Sequence, residues 1–253
     1  MDNKLDKLVV VGDRVLIKPK SFSEKTNSGL YLPPGIQEKK ETPEQIMDRF
    51  FAPLEVMSRQ ENWQHALASV FKLWEEAPLI LSGVNVGTLP ETGRLHLREI
   101  HGNMTLLRSM NLPAIVEVCR PRQDRGVYAV LKTLDDDGMI MLGKSEERIP
   151  PGLFYEIWYG HAYVMWKDFE DLPRVIAPGA SSLSIAWLQY NLKTLDLFEG
   201  PVSGVYDERT REAVIRLQQE NGLKVDGLVG PETKMILYAR LDVYPKPTLR
   251  KEG

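Results

Sequence analysis

Few residues in this chain could do covalent or metal chemistry: one cysteine and four histidines among 253 residues. Cys119 follows a predicted strand and precedes Arg120-Pro121. A thiolate nucleophile instead wants a helix N-terminus or an adjacent base to lower its pKa, so Cys119 is expected to be a structural thiol. His96 and His101 are five apart, which is not the one-face spacing of a helical metal pair. His65 and His161 lie in amphipathic stretches where a hydrogen-bonded histidine is the expectation. Asp135-Asp136-Asp137-Gly138 lacks the alternating ligands and closing glutamate of a calcium loop and reads as a hairpin turn. Glu117 and Glu156 have no paired carboxylate that the sequence can justify, and no glycine-rich phosphate loop is present. The expectation is a chain with no catalytic residue, no metal and no cofactor.

Composition narrows the classes further. Hydrophobic residues make up 43% and charged residues 26%, as in an ordinary folded protein. A net charge of -3 offers no basic field for a phosphate backbone, so nucleic acid is not an expected partner. A single cysteine excludes an internal disulfide framework. No apolar run approaches the roughly 20 residues that span a bilayer, so no membrane span is expected. The opening MDNKLDKL is charged ahead of a short apolar stretch that ends at Gly12-Asp13, and it reads as a strand with no visible export signal.

Punctuation divides the chain into four parts: an arm over 1–41, a middle domain over 42–175, a small module over 178–241 and a flexible tail over 242–253. The breaks fall at Pro33-Pro34-Gly35 to Pro43 and at Ile176 to Ser182. In the middle domain, Ile46, Phe50, Leu54 and Met57 share one helical face, and Leu67, Val70, Phe71 and Trp74 share another. A third short helix is expected from Asn103 to Met110. The period then changes to two, predicting strands at Ala114–Val118, Val127–Leu134, Met139–Leu142 and His161–Trp166. Helices first and an antiparallel meander afterwards predict an α+β fold.

The module nearly repeats itself. Ile185-Ala-Trp-Leu-Gln189 is answered by Val214-Ile-Arg-Leu-Gln218, and Gly204 to Thr210 by Gly227 to Thr233, the same six-residue step. Gly204 and Gly227 supply a permissive backbone where the chain reverses. Asp207 and Gly230 suit a helix cap or a left-handed turn, and Pro231 suits a first helical turn. Val205, Val214, Leu217, Leu223, Val225, Leu228, Val229 and Leu237 provide the core of a three-helix bundle.

Leu217-Gln218 through Asn221-Gly222-Leu223, then Asp226-Gly227, Gly230-Pro231 and Thr233, resembles the helical peptidoglycan-binding module appended to many bacterial cell-wall enzymes. Ser203 departs from the pattern where the second half has Asp226. The resemblance implies peptidoglycan as partner. A groove for it calls for an aromatic face, amides for acetamido groups and arginines for stem-peptide carboxylates. Tyr206, Arg209, Arg211, Gln218 and Asp226 are the candidate ligand-binding residues. Three of them also have a structural reading: Gln218 in helix packing, Asp226 as a turn former and Tyr206 as half-buried core.

Pro113-Ala-Ile-Val, the run Gly126 to Gly138, Ile140 to Gly143 and Trp158 to Trp166 are similar to the second half of papain-like peptidases that process double-glycine leader peptides. They look closer still to the degenerate version in the type II (general) secretion pathway protein A family, whose domain order also matches. The catalytic set is missing: the strand expected to begin with histidine begins Gly126-Val127-Tyr128, and Gly143-Lys144 stands where Asp-Pro is expected. The resemblance implies a non-catalytic, periplasmic or cell-wall protein serving a secretion assembly. The competing reading is a wall hydrolase targeted by its module. Val11 to Lys20 followed by Glu24 to Pro33 resembles the opening of the GroES co-chaperonin, with Leu30-Tyr31-Leu32 at the docking-loop position. That arm covers only part of a barrel, and its chaperonin-binding reading ranks below an edge strand with a loose loop.

Overall fold

The computed structural model describes residues 41–76, 81, 83–89, 95–135 and 138–250, together with the backbone of 8–11 and 14–17. The chain divides into two compact units, Met1–Thr42 and Pro43–Gly253. In the first, β1 (Leu8–Val11) and β2 (Arg14–Ile17) pair antiparallel. Of the co-chaperonin-like segment, Gly12-Asp13 and everything from Lys18 to Pro33, Leu30-Tyr31-Leu32 included, lie outside the described residues.

The second unit is α+β. Its sheet is antiparallel throughout, in the order β3-β8-β4-β5-β6-β7. These strands are β3 (Leu95–His101), β4 (Ala114–Cys119), β5 (Gly126–Asp135), β6 (Gly138–Leu142), β7 (Glu146–Ile149) and β8 (Trp158–Lys167). Alternation sorts the side chains to two faces. One face takes α2 (Arg59–Leu73), whose Trp63, Leu67, Val70 and Phe71 pack with Ile115, Tyr128, Val130, Tyr163 and Met165. On the other, Val116, Ala129, Leu131 and Val164 join Phe50, Phe51 and Leu54 of α1 (Pro43–Glu55), Leu107 of α3 (Met104–Met110) and Phe154 of α4 (Pro151–Ile157). The start of α2 is fixed by Ser58, whose hydroxyl accepts the Glu61 N–H while the Glu61 carboxylate takes the Ser58 N–H.

The bundle follows: α5 (Leu183–Thr194), α6 (Glu208–Glu220) and α7 (Pro231–Arg240). Its core runs continuously into that of the sheet. The expected break at 176–182 is stitched into the bundle, because Ile176 pairs with Val229 and Ser181 with Val205. A buried polar contact ties the bundle to the sheet domain as well. Lys234 Nζ on α7 donates to Asp168 Oδ2 at 2.7 Å and to Leu172 O at 3.1 Å, and the Tyr238 hydroxyl donates to Asp168 Oδ1 at 2.6 Å. Burial and the Asp168 carboxylate together push the Tyr238 hydroxyl far above its usual value.

The tail corrects an expectation. Read as frayed, the stretch around Leu249 instead returns to the sheet: Leu249 is fully buried, its N–H donates to Asn111 O, and its carbonyl accepts from Leu134 N. The left-handed Asn111 that ends α3 leaves that carbonyl available. Three elements had no sequence expectation: β3, β7 and α4.

Candidate functional site

The repeated Leu-Gln helices become two copies of one lock. Gln218, 1% exposed, reaches from the last turn of α6 into the turn before α7. Its Oε1 accepts from the Asp226 N–H at 3.1 Å and the Gly227 N–H at 2.9 Å, and its Nε2 donates to Leu228 O at 2.9 Å. Asp226 Oδ1 and Thr233 Oγ1 lie within reach of the same amide. In the first copy, Gln189 Oε1 accepts from the Gly204 N–H at 2.9 Å, and Nε2 donates to Val205 O at 2.9 Å and Thr210 Oγ1 at 2.8 Å. One buried amide thus satisfies both polarities of a buried turn, where unpaired backbone groups would be costly.

Glycine is required in each turn. Gly204 and Gly227 have φ of 70° and 69°, and a side-chain carbon at Gly227 would collide with Arg211 Cγ. Asp207 caps α6 with extended backbone, its carboxylate accepting from Thr210 N–H at 2.9 Å and Thr210 Oγ1–H at 2.7 Å. Those two bonds hold its pKa below the usual carboxylate value. Gly230 also caps with extended backbone, so neither position adopts the left-handed geometry. At Ser203 the hydroxyl approaches Val205 N at 3.3 Å, while the corresponding Asp226 carboxylate accepts Leu228 N at 2.9 Å. The serine turn is held by the same logic with a weaker acceptor. Partial burial would raise the Asp226 pKa, but the Leu228 N–H, Gln218 and Lys224 outweigh it and the pKa falls.

Four of the five residues singled out from the sequence meet at the second turn. Tyr206 is 2% exposed and its hydroxyl donates to Gly227 O at 2.7 Å; burial pushes its pKa up. Gln218 is interior, and Asp226 is half-buried in the turn. Arg211 lies across Gly227 and pairs with Glu208 at 3.0 Å, its side chain 38% exposed. Arg209 is apart, exposed beside Gly200. Tyr206 and Gln218 therefore build the turn from within, and the surface groups of the set are the two arginines and Asp226. An exposed ring on the bundle is Tyr190 of α5, at 63%. The sequence pattern did not single it out, although its place directly after Gln189 on the helix turns it outward.

A second polar constellation lies at the rim of the α2 face of the sheet. Glu117 of β4 accepts from Arg59 at 2.8 Å through one carboxylate oxygen and contacts His161 Nδ1 of β8 at 2.7 Å through the other. His161 Nε2 is 2.9 Å from Glu99 Oε1 of β3, and the His101 and His161 rings stack with centroids 4.6 Å apart. The Arg59 guanidinium also meets the Tyr128 hydroxyl at 2.5 Å, and the Asn62 side chain brackets the Tyr128 backbone from α2. A side-chain carbon at Gly126 would clash with the Glu117 carboxylate, so β5 opens with glycine where that carboxylate needs the space. Burial and then Glu117 raise the Cys119 thiol above its ordinary value. His161, expected to be a hydrogen-bonded surface or core histidine, and His101, set aside only as no helical metal pair with His96, are brought together here. Their positions are 60 residues apart in sequence but directly paired in register.

Residues 181–237 match the family model described as a putative peptidoglycan binding domain. Two curated relatives, both spore cortex-lytic enzymes of Bacillus cereus, are each 38% identical over 78 residues, which is 31% of this chain and 30% of theirs. The chain thus spans under a third of the length of these relatives. Among solved structures, a periplasmic domain of the EpsAB fusion protein of the Vibrio vulnificus type II secretion system aligns over 79% of this chain and 95% of its own, at 17% identity and a TM-score of 0.48. The N-terminal domain of SleB aligns over 26% and 89%, at 40% identity and a TM-score of 0.25. The peptidase domain of Streptococcus ComA aligns over 44% and 95%, at 21% identity and a TM-score of 0.36.

Proposed function

We propose that the protein binds peptidoglycan without cleaving it, through the bundle that carries the peptidoglycan-binding match at 181–237. One observation carries the reading: both glutamine-locked turns lie within the matched stretch, each with its glycine, cap and threonine in place. Arg211, Arg209 and Asp226 are the surface groups proposed to meet stem-peptide carboxylates and amides. Tyr206 and Gln218 act from below by fixing the turn. Tyr190 is proposed as the ring on which a sugar stacks.

Three features support a non-catalytic role for the sheet domain. The first residues of α2 are Arg59-Gln60-Glu61, so no thiol sits at that helix N-terminus. Glu117 fills the space at Gly126, and the Cys119 thiol is held protonated. The domain order and the motifs from Trp63 onward, which resemble the secretion pathway protein A family, support a periplasmic or cell-wall-associated location. There it would anchor or space a secretion assembly. The buried Lys234–Asp168 pair and the shared core suit that role, because they join sheet and bundle rigidly.

The test is sedimentation of the full chain with purified sacculi, followed by a zymogram on the same material. Retention with no cleared band is expected, and Tyr190→Ala should weaken retention by up to about tenfold. The matched relatives are named as lytic enzymes, so a cleared band would favour the hydrolase reading. Failure to sediment would remove wall binding altogether.

A further inference from the structure

We propose that Glu99, His101 and His161 form a binding site for a divalent transition metal of the zinc type, with Glu117 positioning His161. The case starts from strand geometry. Side chains two apart on a strand share a face, so Glu99 and His101 project together from β3, and His161 stands opposite His101 on β8. One ligand atom from each of the three lies within 4.8 Å of the others. Two imidazoles and a carboxylate are a donor set suited to zinc and its neighbours in the first transition row.

The surroundings prepare the histidine for this task. Nδ1 of His161 contacts the Glu117 carboxylate at 2.7 Å, which directs Nε2 toward Glu99 at 2.9 Å. A ligating histidine commonly gives its second nitrogen to such a carboxylate, which fixes the tautomer and raises ligand basicity. Glu117 is itself held by Arg59 at 2.8 Å, and its carboxylate fits because residue 126 is glycine. The backbone pins the pair as well: the Gly102 N–H donates to Gly160 O at 2.9 Å, and Gly160, at φ 91°, has no Cβ to push β3 away. Glu99 and His101 are exposed, so an ion has an entry path and a fourth position open to water. Ligation at about 2.0–2.2 Å requires the three atoms to close in from separations of at most 4.8 Å.

The full chain, stripped with a chelator and desalted, is titrated with cobalt(II) alone and read by its visible ligand-field absorption; zinc is then added in competition. One equivalent of cobalt with four-coordinate bands, displaced by zinc, is the expected result. His101→Ala and Glu99→Gln should each abolish the bands. Glu117→Gln should weaken binding by about ten- to a hundredfold, as loss of a ligand's carboxylate partner does elsewhere. His96→Ala, whose side chain alternation places on the opposite face, should leave the titration unchanged. Thermal melts of the metal-free variants confirm that each is folded. Absence of bands in the parent chain, or bands that survive His101→Ala, overturns the proposal.

Discussion

The glutamine turns of the bundle and the histidine–carboxylate cluster on the sheet are built from similar groups and disposed in opposite ways. Gln218 and Gln189 are interior, and every polar atom they present is consumed by a turn within 21 residues of chain. The cluster draws on α2, β3, β4 and β8, and its outer members face solvent. A closed network fixes shape, because leaving any member unpaired in the interior is expensive. An open one keeps lone pairs within reach of an external ligand. Of the bundle's own candidates for ligand contact, Tyr190, Arg209 and Arg211 lie outside its locks, and Asp226 alone belongs to one.

Substitutions in closed networks should dominate any stability series. The largest loss is expected at Lys234, 2% exposed and bonded to Asp168 and Leu172 O. Lys234→Ala leaves the buried Asp168 carboxylate with the Tyr238 hydroxyl but no countercharge, and should cost about 3–5 kcal/mol in urea unfolding. Next comes Gln218→Ala, at about 3 kcal/mol, because the Asp226 and Gly227 N–H groups lose their partner and Leu228 O keeps only the longer bond from the Thr233 hydroxyl. Gln189→Ala should cost about 2 kcal/mol: it frees one N–H, that of Gly204, where Gln218 serves two. Equal losses at the two glutamines would break the view that the serine-bearing turn is the weaker copy.

Acid should sharpen the contrast more gently. Asp207 and Asp226 have pKa values below the ordinary 3.8 in the folded chain, chiefly because Thr210 N–H bonds Asp207 and Leu228 N–H bonds Asp226. A carboxylate depressed by folding contributes fully above its unfolded value and loses that contribution as pH falls through the folded one. Unfolding midpoints should therefore hold steady down to about pH 4 and fall below it. Asp207→Asn keeps a helix cap but removes one titrating group, so its profile should be flatter in that acid range. A parallel profile for the variant would take Asp207 out of the acid response.

The same difference in closure governs what could be read from the sequence. The bundle was legible because its determinants recur at short range: Leu-Gln, a glycine turn and a threonine six residues after the glycine, twice over. Helices α1, α2 and α3 and strands β4, β5, β6 and β8 were legible from period, within a few residues at each end. The structural readings of Tyr206 as core and Gln218 as a helix-packing residue were open from the sequence and hold; that both bond the backbone of the second turn was not legible, because those partners are set only when the turn closes. β3 escaped notice because its partner among the described strands, β8, lies some 60 residues on, so no hairpin signal marks it. Leu249 escaped for the same reason, since its partners are Asn111 and Leu134. The cluster is the extreme case: Glu99, Glu117 and His161 have unremarkable neighbours in sequence and meet only through strand register.

The smallest effect is the most discriminating. His101 is exposed, and its contact among the described residues is a ring stacked on His161, so nothing buried depends on it. His101→Ala should leave the stability of the metal-free chain within about 0.5 kcal/mol of the parent. A group held for structure would show its value in that measurement, as Gln218 should; a group held for a ligand would show it only when the ligand is present. Unfolding the parent and His101→Ala with and without zinc therefore separates the two roles. Added zinc should stabilise the parent by mass action and leave the variant unmoved. A large loss in the metal-free variant would instead class the histidine pair with the glutamine locks, as part of the scaffold.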